Sequence, residues 1–244
     1  MAKKLKKNYL VIKQNAVNEM RTNNMNLQEL RFFSIYLSKI DPQNQETRVV
    51  RFPLADFQAI MELGRMNMDY FKKVAKNLLN KPVEIPTERG GFEIFQIFQV
   101  FVVDPDDNGD WYVEIDTSDR ALPLLFDFKA KYFKYELWNA LGLKSKNQLR
   151  MYEVLKQHEG VGHRVISVDH LKEMLGIGLN EYSQYNDFKR YVLDVCQKAL
   201  SGSTDISFDY EVHSKKSRKI RELKFTIRKN ENYKSPLNLE KFID

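Results

Sequence analysis

The sequence reads Tyr70-Phe-Lys-Lys-Val-Ala-Lys-Asn-Leu-Leu79 in its first half and Asp187-Phe-Lys-Arg-Tyr-Val-Leu-Asp-Val-Cys196 in its second half. Both stretches carry apolar residues at the spacing i, i+3, i+4, i+7 and i+8, namely at positions 71, 74, 75, 78 and 79 and at positions 188, 191, 192, 195 and 196. This spacing is typical of a helix that lies with one face on a core. A basic pair follows the leading aromatic residue in each copy, Lys72-Lys73 and Lys189-Arg190. The chain is therefore predicted to contain one structural unit twice.

The segments that precede these helices also repeat. They are an amphipathic helix, over 27–37 and 145–155, and a short β stretch that leads into a second helix, over 48–57 and 164–171. Both amphipathic helices contain Leu-Arg at the matching place, Leu30-Arg31 and Leu149-Arg150. The second helices end near Gly64 and Gly176, as helices commonly do. We expect the two halves to align with only small loop insertions.

After each third helix the hydrophobic period changes to two, which indicates β-strands. The predicted strands are 83–85, 92–103 and 111–115 in the first half and 206–210 and 222–228 in the second. A basic turn, His213 to Lys219, joins the last two strands, and Asn108-Gly109 marks a tight turn in the first half. Helix, β stretch, helix, helix and hairpin is the order of a winged-helix domain. The sequence thus predicts an α+β fold of two tandem winged-helix (helix-turn-helix with β-hairpin wing) domains.

We place the first domain at 1–128, with a short helix over 119–128 at its end, the second domain at 129–230, and a polar tail at 231–244. Positive charge is concentrated in the second half. Residues 1–128 carry 17 basic and 18 acidic side chains, net −1, whereas residues 129–244 carry 22 and 15, net +7. A basic half suggests a polyanionic partner, most simply nucleic acid. A basic surface that is merely solvated would produce the same composition, so charge alone leaves both interpretations open.

Two features bear on localisation. The single cysteine, Cys196, excludes an internal disulfide and fits a reducing compartment. The longest apolar stretch, 92–103, is interrupted by polar residues and is too short to span a bilayer, and no apolar leader follows the basic N-terminus. We expect a cytoplasmic protein that does not interact with membranes.

The third helix of a helix-turn-helix enters the major groove of DNA, where residues near its N-terminal end reach base edges. In the second domain these residues are Asn186, Lys189 and Arg190, opposite the apolar stripe. Lysine and arginine pair well with guanine and asparagine with adenine. Base reading by these three residues is our prediction, and a solvated helix face is the alternative.

Phosphate contacts are predicted around this helix, with minor-groove contact as a further possibility for the wing tip. The residues are Lys215, Lys216, Arg218 and Lys219 at the wing tip, and Ser145, Lys146 and Arg150 at the start of the first helix of the domain. A charged hairpin that resists edge aggregation is the other interpretation of the wing. Arg150 could equally pair with Glu153, three residues further on.

In the first domain the corresponding helix offers Lys72 and Lys73 for base reading and Asn67 and Lys76 for phosphate contact. Since this domain is nearly neutral, its contribution to DNA binding is expected to be weaker. Its long strand over 92–103 is apolar on both faces, although a sheet that is covered on one side alternates. The face with Phe95, Ile97, Phe101 and Val103 is predicted to form a dimer interface; the neighbouring domain is the other possible cover.

Catalytic motifs are not apparent. The four histidines form no His-x-His pair, and the sequence contains no phosphate-binding glycine loop or nucleophile motif. We therefore expect neither an enzyme nor a metal or other cofactor.

The chain resembles the initiator replication (Rep) proteins of iteron-containing, theta-replicating plasmids, from about Val11 to Arg228. The similarity is carried by Val11-Ile-Lys-Gln-Asn-Ala16, Phe133-Lys-Tyr-Glu-Leu137, Leu143-Lys-Ser-Lys146, Leu149-Arg-Met-Tyr152, Ile166-Ser-Val-Asp-His-Leu-Lys-Glu-Met-Leu-Gly176 and Phe188-Lys-Arg-Tyr-Val-Leu-Asp194. The order and spacing of these pieces are more specific than any one of them.

The resemblance implies a monomer that binds direct repeats at a plasmid origin through both winged helices. Such a protein opens the adjacent duplex and helps to recruit the host replication initiator and the replicative helicase. It also implies a homodimer, formed through the first domain, that represses its own gene. Two alternatives remain: a dimeric winged-helix repressor without a replication role, and a tyrosine-dependent DNA strand-transfer enzyme.

Overall fold

The computed structural model describes residues 10–19, 25–60, 68–87, 89–126, 131–217, 219–231 and 233. Up to residue 125 its elements are β1 (Leu10–Gln14), α1 (Asn15–Glu19), α2 (Leu27–Lys39), a 3-10 turn (Gln45–Arg48), β2 (Val49–Pro53), α3 (Leu54–Ile60), α4 (Met68–Leu79), β3 (Pro82–Pro86), β4 (Phe92–Gln96), β5 (Phe98–Pro105), β6 (Trp111–Thr117), a second 3-10 turn (Asp119–Ala121) and α5 (Leu122–Leu125). The elements that follow are β7 (Tyr132–Glu136), α6 (Leu137–Leu141), α7 (Lys146–Lys156), β8 (His163–Ser167), α8 (Val168–Leu175), α9 (Tyr185–Phe188), a π-helical turn (Lys189–Leu193), α10 (Asp194–Ser203), β9 (Ile206–Lys216) and β10 (Lys219–Lys229).

Two units repeat the same plan. In the first unit, helices α2, α3 and α4 accompany a three-stranded sheet of order β2-β6-β5. In the second unit, α7, α8 and the helix from α9 to α10 accompany a sheet of order β8-β10-β9. In both sheets the strand between the first two helices pairs antiparallel with the last strand, which lies in the centre. The predicted tandem winged-helix fold is confirmed, and β5–β6 and β9–β10 are the two wings.

Local sequence accounts for several helix boundaries. Asn26 begins α2 with a capping box, in which its side chain accepts a hydrogen bond from the Glu29 amide and the Glu29 carboxylate accepts one from the Asn26 amide. Ser145 and Ser167 cap α7 and α8 by accepting from the third amide of each helix. Gly176 ends α8 in the left-handed region, at φ 66°, as its position predicts. Gly64 lies outside the described residues.

The two units are joined by contacts that the sequence analysis did not predict. Strand β1 pairs antiparallel with β7, from Leu10 opposite Glu136 to Gln14 opposite Tyr132, and so links the first described residues to the start of the second unit. The Arg31 guanidinium on α2 donates to the carbonyls of Leu141 and Leu143, at 3.0 and 2.9 Å. One continuous cluster of buried apolar side chains runs through both units.

The predicted strand over 92–103 is in fact two strands that belong to different sheets. Strand β4 pairs with β3 in a separate hairpin, whereas β5 pairs with β6 in the wing of the first unit. Ile97 and Phe98, at the break, are consecutive and both buried, at 3% and 1% exposure. Two adjacent inward side chains cannot occur in a regular strand, so the face that meets the core changes at this point.

Among the helices within the described ranges, none has the length and apolar character needed to cross a membrane.

Candidate nucleic-acid interface

The third helix of the second unit, residues 185–203, is continuous but not regular. Its middle turn is π-helical, and the Asp194 amide donates to the carbonyl of Lys189, five residues back. Such a turn contains one residue more than an α-turn and rotates everything that follows it. Phe188, Val192 and Cys196 are buried as predicted, but Tyr191 and Val195 are 53% and 45% exposed. Their assignment to the buried stripe was wrong, because the stripe assumes a regular α-helical period.

The predicted base-reading side chains of this helix, Asn186, Lys189 and Arg190, are all exposed. The Lys189 ammonium forms a salt bridge of 2.9 Å with the Asp194 carboxylate and lies 5.9 Å from the centre of the Tyr210 ring on β9. Its charge is therefore partly neutralised within the protein.

Arg190 directly follows Lys189 and is exposed as well. The Arg190 guanidinium is 5.3 Å from the centre of the neighbouring Tyr191 ring. Within the described part of the chain, no salt bridge involves this guanidinium. Its charge is thus available to an external anion or base.

The Asp194 carboxylate links the third helix to the wing. The Tyr210 hydroxyl, on β9, donates a hydrogen bond to it, and this bond together with the Lys189 ammonium lowers the pKa of Asp194. Burial, reinforced by the same hydrogen bond, raises the pKa of Tyr210. The Gln197 side chain adds a second link, a hydrogen bond of 2.9 Å to the Phe208 carbonyl. The wing therefore has a set position beside the helix.

The wing of the second unit ends in exposed lysines. Lys216 lies opposite Lys219 and Lys215 opposite Ile220, with Ser217 in the left-handed region at the turn. Lys215, Lys216 and Lys219 are exposed, and Arg218 falls outside the described residues. An exposed basic hairpin beside a basic helix suits contact with phosphates, which position a protein on DNA.

The residues predicted at the start of α7 have different surroundings. The Ser145 side chain caps the helix, and the half-buried Lys146 ammonium donates to the Gly176 carbonyl at 3.3 Å. Burial lowers the pKa of Lys146. Arg150 has an exposed fraction of 0%, so the prediction that it contacts a phosphate is wrong. The alternative holds, because Arg150 donates to the Glu153 carboxylate at 2.6 Å.

Arg150 belongs to a buried polar cluster that joins the two units. Its guanidinium also donates to the side-chain and backbone oxygens of Asn18 on α1 and to the Met174 carbonyl on α8. The Glu153 carboxylate accepts a further hydrogen bond from the Lys13 ammonium on β1 and another from the Tyr135 hydroxyl on β7, both at 2.9 Å. The i, i+3 spacing was the only hint of this cluster in the sequence.

Burial determines the protonation behaviour of the cluster. It lowers the pKa of Lys13 to about 8, against the opposing effect of the Glu153 carboxylate. Burial alone would raise the pKa of Glu153, but the charges of Lys13 and Arg150 and the hydrogen bonds from Lys13 and Tyr135 outweigh it and hold this pKa below its ordinary value. Two cations and one carboxylate thus share a site that excludes water.

The first unit presents a different surface. Lys72, Lys73 and Lys76 are exposed on α4, opposite the buried Phe71 and Leu78, and Asn67 lies outside the described residues. The wing tip of this unit carries four exposed aspartates, Asp104, Asp106, Asp107 and Asp110. A negative wing repels phosphates, so among the described residues of this unit the exposed lysines of α4 are better suited to contact DNA than the wing is.

The predicted dimer face packs largely on the core of its own unit. Ile97 is buried, and Phe95, Phe101 and Val103 are partly buried against the core. The Phe101 ring lies 5.8 Å from the Phe32 ring of α2, centre to centre. The exposed apolar side chains of this stretch are Phe92 and Ile94 on β4 and Val100 on β5, at 69%, 55% and 39% exposure.

Two winged-helix units, with exposed basic residues on the third helix and wing of the second, define a protein of the tandem winged-helix DNA-binding class. The family profile described as Initiator Replication protein, WH1, matches residues 10–156, and the profile described as Initiator Rep protein, WH2, matches residues 167–227. The chain therefore belongs to the family of initiator replication (Rep) proteins, which confirms the resemblance seen in its sequence.

A solved structure has the same fold. It is the crystal structure of Pi initiator protein in complex with iteron DNA, with a TM-score of 0.76, 22% sequence identity, and coverage of 93% of this chain and 100% of that one. No curated protein matches the chain.

Proposed function

We propose that this protein initiates plasmid replication in the bacterial cytoplasm by binding direct repeats at its origin as a monomer. The second domain, 129–230, makes the main sequence-specific contacts, through Asn186, Lys189 and Arg190 on the third helix and the lysines of the adjacent wing. The first domain, 1–128, adds auxiliary contacts through Lys72, Lys73 and Lys76. The observation that carries the proposal is the exposed basic wing held beside the third helix in a Rep-family chain. The Pi initiator protein, whose structure contains iteron DNA, supports the choice of repeated DNA as the target.

Binding to the origin is tested with duplex fragments tiled along the plasmid's own origin and promoter, at about 0.15 M salt with excess competitor DNA, followed by footprinting. Protection of evenly spaced direct repeats is expected. Protection of an inverted repeat alone would favour the dimeric repressor without a replication role. An absence of specific protection would contradict both.

Two further steps would complete initiation of replication. The neighbouring duplex opens, and the host initiator and the replicative helicase are then recruited. Permanganate reactivity of unpaired thymines beside the protected repeats measures opening. Pull-down of the purified host proteins on the same DNA measures recruitment. Duplex opening without recruitment would limit the role of this chain to the first step.

We further propose that a homodimer forms through Phe92 and Ile94, which are exposed on the same face of β4, and that this dimer represses the protein's own gene. Neighbouring exposed apolar side chains commonly mark interaction sites. Phe92→Ser combined with Ile94→Ser is expected to shift sedimentation toward monomer and to release promoter repression while repeat binding is kept. Leu179→Ser, at another exposed apolar side chain, is the control for solubility.

The tyrosine-dependent strand-transfer enzyme has little support. A nucleophilic tyrosine benefits from a lowered pKa. The tyrosines for which a shift is resolved, Tyr36, Tyr135, Tyr152, Tyr185 and Tyr210, all have raised pKa values, and burial is the main cause. Across the described residues, no group of three or more histidine, cysteine or acidic side chains could hold a metal ion. Incubation with supercoiled origin DNA is expected to leave no nicked or covalently attached product.

A further inference from the structure

Two largely apolar side chains are exposed to solvent on the third helix of the second unit, a position that polar side chains usually occupy. They are Tyr191 and Val195, each about half exposed. The π-helical turn over 189–193 produces this exposure, because it rotates both residues out of the buried stripe that a regular helix would give them. The helix thus presents an apolar surface as well as its basic one.

Tyr191 is held in place on both sides. Its ring centre lies 6.4 Å from that of Tyr182, in the turn before the helix, and 5.3 Å from the Arg190 guanidinium. The Lys189 ammonium and the Asp194 carboxylate instead both contact Tyr210 on β9. Tyr191 is therefore next to Arg190, one of the proposed base-reading residues, in an arrangement that exists before any DNA is bound.

We propose that Tyr191 and Val195 bind the C5-methyl groups of thymines in the major groove of the target repeat. This methyl group is the apolar feature that a base pair presents in the major groove, and apolar side chains on a reading helix are its natural partners. Asn186 and Arg190 would read hydrogen-bonding groups of neighbouring bases from the same helix. The inference rests on the proposed sequence-specific binding and adds a second, apolar mode of recognition to it.

The test replaces thymine with deoxyuridine, which removes the methyl group and keeps Watson–Crick pairing. Dissociation constants of the full-length protein are measured by fluorescence anisotropy on one protected repeat, synthesised with either base. Burial of one methyl group contributes roughly fourfold in affinity, so wild type is expected to bind the deoxyuridine duplex about fourfold more weakly for each methyl contacted.

Variants assign the effect to the two side chains. Tyr191→Ser and Val195→Ala are expected to weaken binding to the thymine duplex and to reduce the ratio between the two duplexes. Tyr191→Phe, which keeps the ring, is expected to retain the wild-type ratio. Val161→Ala is the matched control, since Val161 is 64% exposed and precedes β8, at the end of the sheet away from the wing tip. Far-ultraviolet circular dichroism and urea unfolding verify that each variant is folded.

A ratio that is the same in wild type, Tyr191→Ser and Val195→Ala would overturn the proposal, because the methyl groups would then be read elsewhere or not at all. Specific binding by wild type that is indifferent to deoxyuridine would overturn it while the proposed function stands. Failure of wild type to distinguish the repeat from random DNA would remove the proposed function and this inference together. Single-thymine replacements then map the methyl groups that give the effect.

Discussion

Arg150 and Glu153 lie one helical turn apart on α7 and form a salt bridge of 2.6 Å, although their side chains are only 1% and 2% exposed. The Glu153 carboxylate also accepts hydrogen bonds from β1 and β7, and the Arg150 guanidinium donates to α1 and α8. A pair of charges that most helices keep in water is here the centre of the junction between the two units. Removal of the Glu153 carboxylate would leave the buried Lys13 and Arg150 cations without a counter-charge.

Glu153→Gln is accordingly expected to destabilise the protein by about 3–5 kcal/mol, since breaking a buried pair leaves an uncompensated charge. Urea unfolding followed by circular dichroism measures the change. Glu114→Gln is the control, because Glu114 forms a more exposed pair with Arg51 and its loss is expected to cost about 0–1 kcal/mol. Equal effects of the two substitutions would contradict the central role of the junction.

The lowered pKa of the buried Lys13 is expected to make the stability of the protein depend on pH. Its pKa is about 8 in the folded protein and 10.5 for an ordinary lysine, so between these values the unfolded chain holds more protons than the folded one. The contribution of Lys13 to the free energy of unfolding therefore rises with pH across this window and is constant below it. Wild type is expected to gain stability relative to Lys13→Met between pH 8 and pH 10.

The measurement is urea unfolding of both proteins at several pH values. Lys144→Met removes an exposed lysine that stays in water in both states, and its difference from wild type is expected to change little with pH. A constant difference between wild type and Lys13→Met would show that burial does not lower the pKa of Lys13 in the folded protein.

The two proposed kinds of DNA contact are separable by mutation. Arg190→Ala is expected to reduce discrimination between specific and random DNA by about 1–3 kcal/mol, because it removes a base contact. Lys215→Ala combined with Lys216→Ala is expected to weaken binding to both DNAs and to lower the salt slope by about two, because it removes two phosphate contacts. Titrations at several salt concentrations measure both effects. An equal loss on both DNAs for Arg190→Ala would refute base reading by this residue.

Asp194 partly neutralises Lys189, so Asp194→Asn is expected to increase affinity for DNA of any sequence and to steepen the salt slope by about one. The asparagine oxygen can still accept the hydrogen bond from the Tyr210 hydroxyl. Asp209→Asn changes the net charge equally, at a carboxylate that pairs with Arg228, and is expected to have a smaller effect. Identical responses would mean that only net charge matters.

Features with a local cause were predictable from the sequence. The stripe of α4, the end of α8 at Gly176 and the basic wing tip each depend on residues a few positions apart. The repetition of the helical pattern at an almost constant offset was sufficient to predict two winged helices in tandem. The family followed from the order of short motifs over nearly the whole chain. The exposed positions of Asn186, Lys189 and Arg190 were predicted for the same reason, since they lie opposite the apolar stripe.

Only the tertiary structure decided what depends on distant partners or on a change of period. Arg150 is buried because Lys13, Asn18 and Tyr135 are brought to α7 from other elements, and its own helix does not reveal them. The break at Ile97 and the π-helical turn after Phe188 each shift the buried face by one residue. The shift at the π-helical turn exposes Tyr191 and Val195. A periodic pattern in the sequence cannot show where that period is interrupted, because packing against neighbouring elements determines where the additional residue is accommodated.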